Sequence, residues 1–339
     1  MKSPDNDFAR HLTRFLGQYL PGQRNASAHT IAAYRDTFKL FLQFCAAEAH
    51  RSPETIRVAT LTQRLVLDFL AWIEKARQCS IATRNHRLAA IHAFCRYLQL
   101  ESPEHLDELQ RILAIPTKKS PQPVIPHLTV GEMTTLLRQP AAGSRDQVLL
   151  ALLYDTGARV QELIDATRRD VRLTAPAVMT LHGKGRKSRQ VPLMTNTRDL
   201  LTAYFQTARR TPGYAPEDVP VFTNQSGAPL TRRGVSYLLQ KYVEQAQKDS
   251  AFHVTVRVTP HVFRHSRAVH MLQAGINLVY IRDFLGHATI SSTEIYARAD
   301  TETKRQALQQ ASLELGPTAE VPSWDKDGEL MAWLVNLGR

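Results

Sequence analysis

Thr259-Pro-His-Val-Phe-Arg-His-Ser-Arg-Ala-Val-His270 is the stretch around which the rest of the chain is organised. Thr259 can cap a helix and Pro260 suits its first position, which places His261 and Arg264 in the first turns. Unbonded backbone N–H groups at a helix start already favour an anion. An imidazole and a guanidinium three residues apart add directed donors. The stretch therefore reads as a phosphate site on a helix that ends with Gly275 as its C-cap residue.

Working outward on the C-terminal side, a short helix from Asn277 stops at Gly286, with His287 just past it. Ser291 and Glu294 match a capping box for the helix that carries Tyr296. On the N-terminal side, helices are expected from Thr129 to Leu137 and from about Ser144 to Tyr154. The break Asp155-Thr-Gly-Ala-Arg-Val-Gln-Glu-Leu163 follows and leads into another helix. Val178-Met-Thr-Leu-His182 and Ser188-Arg-Gln-Val-Pro-Leu193 read as strands of a β-hairpin, with Gly183-Lys-Gly-Arg-Lys as its basic tip. Helices return from about Asn196 to Ala208 and from Thr231 to Gln247.

Between Ile115 and His127 the helical pattern fails. Four prolines and two lysines, Lys118 and Lys119, make an extended basic linker over 116–127. It separates an N-terminal domain, 1–115, from a larger mixed domain, 128–316, and a tail, 317–339. The N-terminal domain reads as helices. One starts at Ser27 and lines up Ile31, Tyr34, Phe38, Phe41 and Cys45; another runs from about Thr62. A third from Ser80 is expected to bury Ile81, Leu88, Ile91, Cys95 and Leu98, and a fourth covers Pro103 to Leu113.

The chain has 339 residues and a formal net charge of +12, which points to a polyanionic partner. The N-terminus lacks an amphipathic anchor or a signal-peptide core, and no apolar run reaches spanning length. Cys45, Cys79 and Cys95 are odd in number and lack metal spacing, as in a reduced, cytoplasmic protein. Arg84, Asn85, Arg87 and Arg96 lie off the apolar stripe of the third helix. Together with Lys118, Lys119, Arg186, Lys187 and the helix-start pair Arg232 and Arg233, they are the candidate DNA contacts.

Taken singly, Arg159, Lys184, His287 or Tyr296 carries little information. As a set they keep a fixed order: Thr156-Gly-Ala-Arg159-Val-Gln-Glu162, Gly183-Lys184-Gly185, His261-Val-Phe-Arg264-His265, Leu285-Gly-His287, and Tyr296 nine residues later. This set resembles the tyrosine recombinases, the phage-integrase and Xer-type site-specific recombinases, and the resemblance covers the whole chain. Phe263 stands where Leu is usual and Ser188 where an acidic residue is common. The resemblance implies a mainly α fold: an N-terminal core-binding, SAM-like helical bundle, plus a mixed helical catalytic domain with a small antiparallel sheet. The two would form a C-shaped clamp on double-stranded DNA.

The chemistry implied follows from residue types. Arg159 and Arg264 can hold the non-bridging oxygens of a phosphodiester, since neither guanidinium can lose its proton. Tyr296 is the nucleophile, because a phenolate is also a fair leaving group. Lys184 is the general acid for the departing 5′-oxygen, and His261 is placed to accept or relay the tyrosine proton. His287 donates to the phosphate, and Glu162 orients a basic side chain. The family polarity is a 3′-phosphotyrosyl link passing through a Holliday junction, with no cofactor, no metal and no ATP. Four protomers on two sites are implied, with accessory proteins as further partners.

The tail's Trp333 and Leu334 are expected to dock on a neighbouring protomer. The early start of the helices disfavours a separate arm-site domain. Three rivals stand beside this reading. A zinc hydrolase would use His261 and His265, although Val262 occupies the position of the required glutamate. A type IB topoisomerase would share the chemistry without joining partners, and a DNA-binding accessory factor would lack cleavage.

Overall fold

Asn6, Ser27, Thr62 and Ser80 each accept, through a side-chain oxygen, a backbone N–H of the first turn of a helix. Such caps satisfy donors that a helix cannot pair internally and fix where it starts. In the computed structural model, which describes residues 6–50, 52–120, 125–183, 187–207, 213–250, 252–287, 289–299 and 328–337, they open α1 (Asp7–Arg14), α2 (Ala28–Ala47), α3 (Gln63–Lys75) and α4 (Ile81–Glu101). α1 continues as a π-helical stretch, Phe15–Gln23, and α5 spans Leu106–Leu113. The chain divides into two compact units, 1–123 and 124–339.

The core of the first unit is aromatic. Phe8, Phe15, Phe41, Phe69 and Phe94 are fully buried, and Phe94 meets Phe8 edge-on at 5.6 Å and Phe38 at 5.0 Å. Each buried aromatic of this size contributes roughly 1.5–3 kcal/mol by leaving water. Cys45 and Cys95 are buried in this core. Residues 116–118 are held against α4: Arg84 donates to Pro116 O at 3.2 Å, while Asn85 bonds both the N–H and the C=O of Lys118.

The second unit begins with α6 (Val130–Leu137), opened by a reciprocal Thr129–Glu132 capping box. α7 (Arg145–Asp155) is apolar nearly all round, burying Val148, Leu149, Leu150, Leu152 and Leu153, so it forms the centre of the core. α8 (Val160–Ile164) follows a turn. Three antiparallel strands, β1 (Val171–Arg172), β2 (Val178–His182) and β3 (Ser188–Pro192), lie in that order, with Met179 opposite Val191 and His182 opposite Ser188. The two-residue β1 extends the expected hairpin to a three-stranded sheet.

α9 (Thr195–Thr207), α10 (Arg232–Ala246), α11 (Pro260–Gln273), α12 (Leu278–Leu285), α13 (Ser291–Ala299) and α14 (Gly328–Asn336) complete the described elements. The opening stretch is α11, capped by Thr259, with Gly275 just beyond its end at φ +79°. The capping box expected of Ser291 and Glu294 is not formed. Ser291 is itself the first helical residue, and the Glu294 N–H bonds Ile290 O at 3.0 Å. The helix therefore starts on the Thr289–Ile290 turn, because pairing with the backbone carbonyl of Ile290 already satisfies that donor.

α11 is also tied to the segment that precedes α6. The Leu128 N–H donates to Ser266 Oγ and Leu128 O accepts from His270 Nε2, both at 2.8 Å. His270 Nδ1 in turn accepts from the Tyr154 hydroxyl at 2.8 Å. The carbonyl makes Nε2 a donor, and a neutral ring leaves Nδ1 to accept from the hydroxyl. Burial lowers the pKa of His270 in keeping with this.

A candidate phosphodiester site built by arginines

The site is assembled from three turns, two of which are tied to α11. The first follows α7. Gly157 adopts φ +54°, and a Cβ there would lie 2.9 Å from Leu285 Cδ2. The glycine thus lets the α7–α8 turn close against the end of α12. Arg159 then stands at the N-cap of α8, its N–H donating to Glu162 Oε2 at 2.9 Å and its Nη1 to Glu162 Oε1 at 2.7 Å. The second turn ends α12, where Gly286 takes φ +66° and presents His287. The third is the β2–β3 turn, closed by the Gly183 N–H on Lys187 O at 2.7 Å. Lys184 and Arg186, at its tip, lie outside the described residues.

Arg264 is buried, and it donates at 2.6 Å to Gly157 O and at 2.6 Å to Leu285 O. Its guanidinium therefore bridges the turn bearing Arg159 and the turn bearing His287. Two of its five donors are used in this way. Burial, and then the neighbouring Arg159 and Arg189, pushes its pKa down to about 10, so it stays charged at neutral pH.

Glu162 is the shared acceptor. Besides Arg159 it takes both ends of the Arg189 fork, at 3.1 and 2.8 Å, while Arg189 Nε donates to Phe284 O at 2.9 Å. Burial pushes the Glu162 carboxyl up, but the hydrogen bonds and charges of Arg189 and Arg159 outweigh it and hold the group below its usual range. Three guanidinium groups around one carboxylate leave an excess of positive charge. Arg159, Lys187, Arg189 and His287 line an open pocket of about 580 Å³ beside it. That excess favours a bound anion such as a phosphodiester.

Tyr296 on α13 is 1% exposed. Its hydroxyl pairs with His265 Nδ1 at 3.0 Å, and its ring lies 16° from the plane of His287 at 6.2 Å between centroids. Burial raises its pKa, opposed by Arg264 and Arg159. His261 is the histidine expected to accept or relay the tyrosine proton; among the described residues the hydroxyl's hydrogen-bond partner is His265. His261 sits one turn earlier on α11, its ring 6.4 Å from that of His265, and it is the later histidine that meets α13. His287 Nδ1 pairs with Thr293 Oγ1 at 2.9 Å. Burial, followed by Arg264 and Arg159, lowers His287 to about 4; burial and the same two arginines also lower His261. Both shifts favour the neutral imidazole.

The expected DNA contacts divide. Arg84 is buried and Asn85 is bonded to Lys118, so both serve the 116–118 segment. Arg87 donates to Ala33 O and Thr37 Oγ1, and Lys118 pairs with Glu74 at 2.7 Å. These side chains are engaged within the first unit, because a long donor beside an unpaired carbonyl or carboxylate is better satisfied there than in water. Arg96, Lys119, Lys187, Arg232 and Arg233 are exposed, Arg232 also donating to Gln161 Oε1.

Arg189 was missed from the sequence, and His265 was noted only within its motif and as a rival zinc ligand, not as the partner of Tyr296. Arg189 shares strand parity with the buried Val191, and an inward-facing charge needs a partner, which was the available signal. His265 follows His261 by one helical turn, and nothing in that spacing pairs it with a tyrosine 31 residues later.

The phage integrase family matches residues 126–303, and its N-terminal SAM-like domain matches residues 12–102. The chain is 34% identical over 330 residues to the integrase/recombinase y4rC of Sinorhizobium fredii, covering 96% of this chain and 97% of that one. It is 30% identical to the tyrosine recombinase XerC of Bacillus subtilis, over 87% of this chain and 94% of the relative. In fold it is similar to XerH bound to a palindromic difH substrate, with TM-score 0.65, 21% identity, and 86% and 81% of the two chains covered. A lambda integrase dimer bound to a core site gives TM-score 0.62 at 16% identity, over 87% and 78%. On the two matching domains and these full-length relatives, the chain belongs to the phage integrase family of tyrosine site-specific recombinases.

Proposed function

We propose that the protein cleaves and rejoins duplex DNA at a specific site through a covalent 3′-phosphotyrosyl intermediate formed by Tyr296. The observation that carries this reading is the buried Arg264, whose fork ties the Arg159 turn to the His287 turn beside Tyr296. Arg159 and Arg264 hold the non-bridging oxygens and stabilise the charge that grows on them as the phosphorus becomes five-coordinate. Neutral His287 adds a donor that Thr293 orients. Glu162 fixes Arg159, so the site meets the phosphate already organised. Lys184 protonates the departing 5′-oxygen, and the phosphotyrosyl bond stores the energy needed for rejoining.

Exchange between two duplexes through a Holliday junction calls for four active sites, so the working species is a tetramer on two DNA sites. α14 supports such an assembly, since Met331, Trp333, Leu334 and Val335 on this short helix are 38–70% exposed. We assign it to docking on a neighbouring protomer.

The reading is tested with nicked duplexes made from DNA flanking the gene, incubated in chelator with wild type or with Tyr296→Phe. A detergent-stable protein–DNA adduct with wild type alone is expected. Adduct that survives Tyr296→Phe overturns the assignment. A gel shift without any adduct points instead to a binding factor.

A further inference from the structure

We infer that His265, rather than the histidine of the phosphate-binding turn, is the catalytic group that orients the Tyr296 hydroxyl and takes its proton as the bond to phosphorus forms. This rests on the reading of Tyr296 as nucleophile. The geometry is direct: Nδ1 of His265 is 3.0 Å from the hydroxyl and the two rings are 5.6 Å apart. The hydroxyl is shielded from water, so its proton needs an acceptor on the protein.

The groups facing His265 decide its charge. His261 and Arg264 come from its own helix, His127 from the segment before α6, Tyr296 from α13, and His287 from beyond α12. Burial first, then His261, Arg264 and His127, lowers its pKa to about 4. The resting imidazole is therefore neutral, and its lone pair can accept the phenol proton. A DNA phosphate entering the arginine-lined pocket brings negative charge that offsets Arg264 and makes a protonated His265 less costly.

The step balances without any further reagent. The tyrosine O–H bond breaks and its proton passes to His265 Nδ1. The phenolate oxygen bonds phosphorus, the P–O5′ bond breaks, and the 5′-oxygen is protonated from Lys184. On rejoining, the 5′-hydroxyl gives its proton back to Lys184 as its oxygen bonds phosphorus, the P–O bond to Tyr296 breaks, and the departing phenolate recovers its proton from His265. Both directions use the same stored proton, as a reversible transesterification requires.

The decisive variant is His265→Gln, which keeps a polar group of similar reach but cannot hold a proton. Single-turnover adduct formation on the nicked flanking DNA is expected to fall about 10²-fold or more, with unchanged site binding by gel shift. Its rise with pH should steepen, because hydroxide then has to remove the proton. Adduct formation by His265→Gln within about threefold of wild type, with the same pH profile, would overturn the inference. If wild type itself gives no Tyr296-dependent adduct, the nucleophile reading fails instead. A DNA-free measurement then decides the contact: imidazole ¹⁵N signals of His265 compared in wild type and Tyr296→Phe. Unchanged signals overturn the inference. A shifted Nδ1 signal sustains the hydrogen bond on which it depends.

Discussion

Replacing Arg189 by Met removes a cation that no catalytic step requires and should still destabilise the second unit substantially. Arg189 has only 12% of its side chain exposed and Glu162 only 4%. The substitution deletes both donors that Arg189 gives to the carboxylate and the third that it gives to Phe284 O. Breaking a buried pair by deleting one partner costs about 3–5 kcal/mol. Arg159 keeps its side-chain and backbone bonds to Glu162, so the expected loss is nearer to about 2–3 kcal/mol. Adding Glu162→Gln should recover roughly 1 kcal/mol or more, because the uncompensated charge goes with it.

The pH dependence has a definite sign. Glu162 has a folded pKa below its unfolded value, so its contribution is complete above the unfolded pKa and disappears as pH falls through the folded one. With Arg189 gone, burial is less opposed and the folded pKa rises. The gap between variant and wild type should therefore narrow at acid pH. Urea unfolding at pH 7 and near pH 4, followed by far-ultraviolet circular dichroism, measures both effects. A single variant within about 0.5 kcal/mol of wild type, or an equal loss at both pH values, would refute the reasoning.

Gly157→Ala forces a side chain into φ +54° and places its Cβ 2.9 Å from the buried Leu285. Destabilisation of about 2–5 kcal/mol is expected, and a urea midpoint unchanged from wild type would contradict it. Lys184→Ala should slow cleavage by about 10²-fold on ordinary DNA. A 5′-bridging sulfur at the scissile phosphate, which leaves without needing a proton, should restore it, and failure of the sulfur substrate would remove Lys184 from the acid role. Truncation after Leu315 should impair tetramer formation on DNA more than binding of a single site. Native gels that show equal tetramer for both proteins would sink the docking assignment.

Much of the site was legible because its parts are local. A Thr-Pro pair before His261 opens a helix whatever else the chain does, and a glycine beside Arg159 or His287 marks a turn that a Cβ would obstruct. The reactive residues follow one another in a fixed order, so the family resemblance also shows in linear text. Helix starts were read to within a residue or so where a side chain caps them. The start of α13 was misread because a backbone carbonyl satisfied the donor that the capping box was meant to bind.

What the sequence by itself determined, then, is most of the helices and the β2–β3 hairpin, the basic charge and the chemical types gathered for a phosphate. Tertiary structure alone decided which partner each polar group takes. Arg84 and Asn85 look solvated on a helical wheel, yet they hold the backbone at Pro116 and Lys118. Glu162 binds an arginine 27 residues away, and the Tyr296 hydroxyl meets a histidine 31 residues away rather than the one four positions earlier. Periodicity fixes which face of an element a side chain occupies. Which donor and acceptor meet depends on how α8, β3, α11 and α13 pack, and a buried polar group pairs with whatever that packing brings within hydrogen-bond reach.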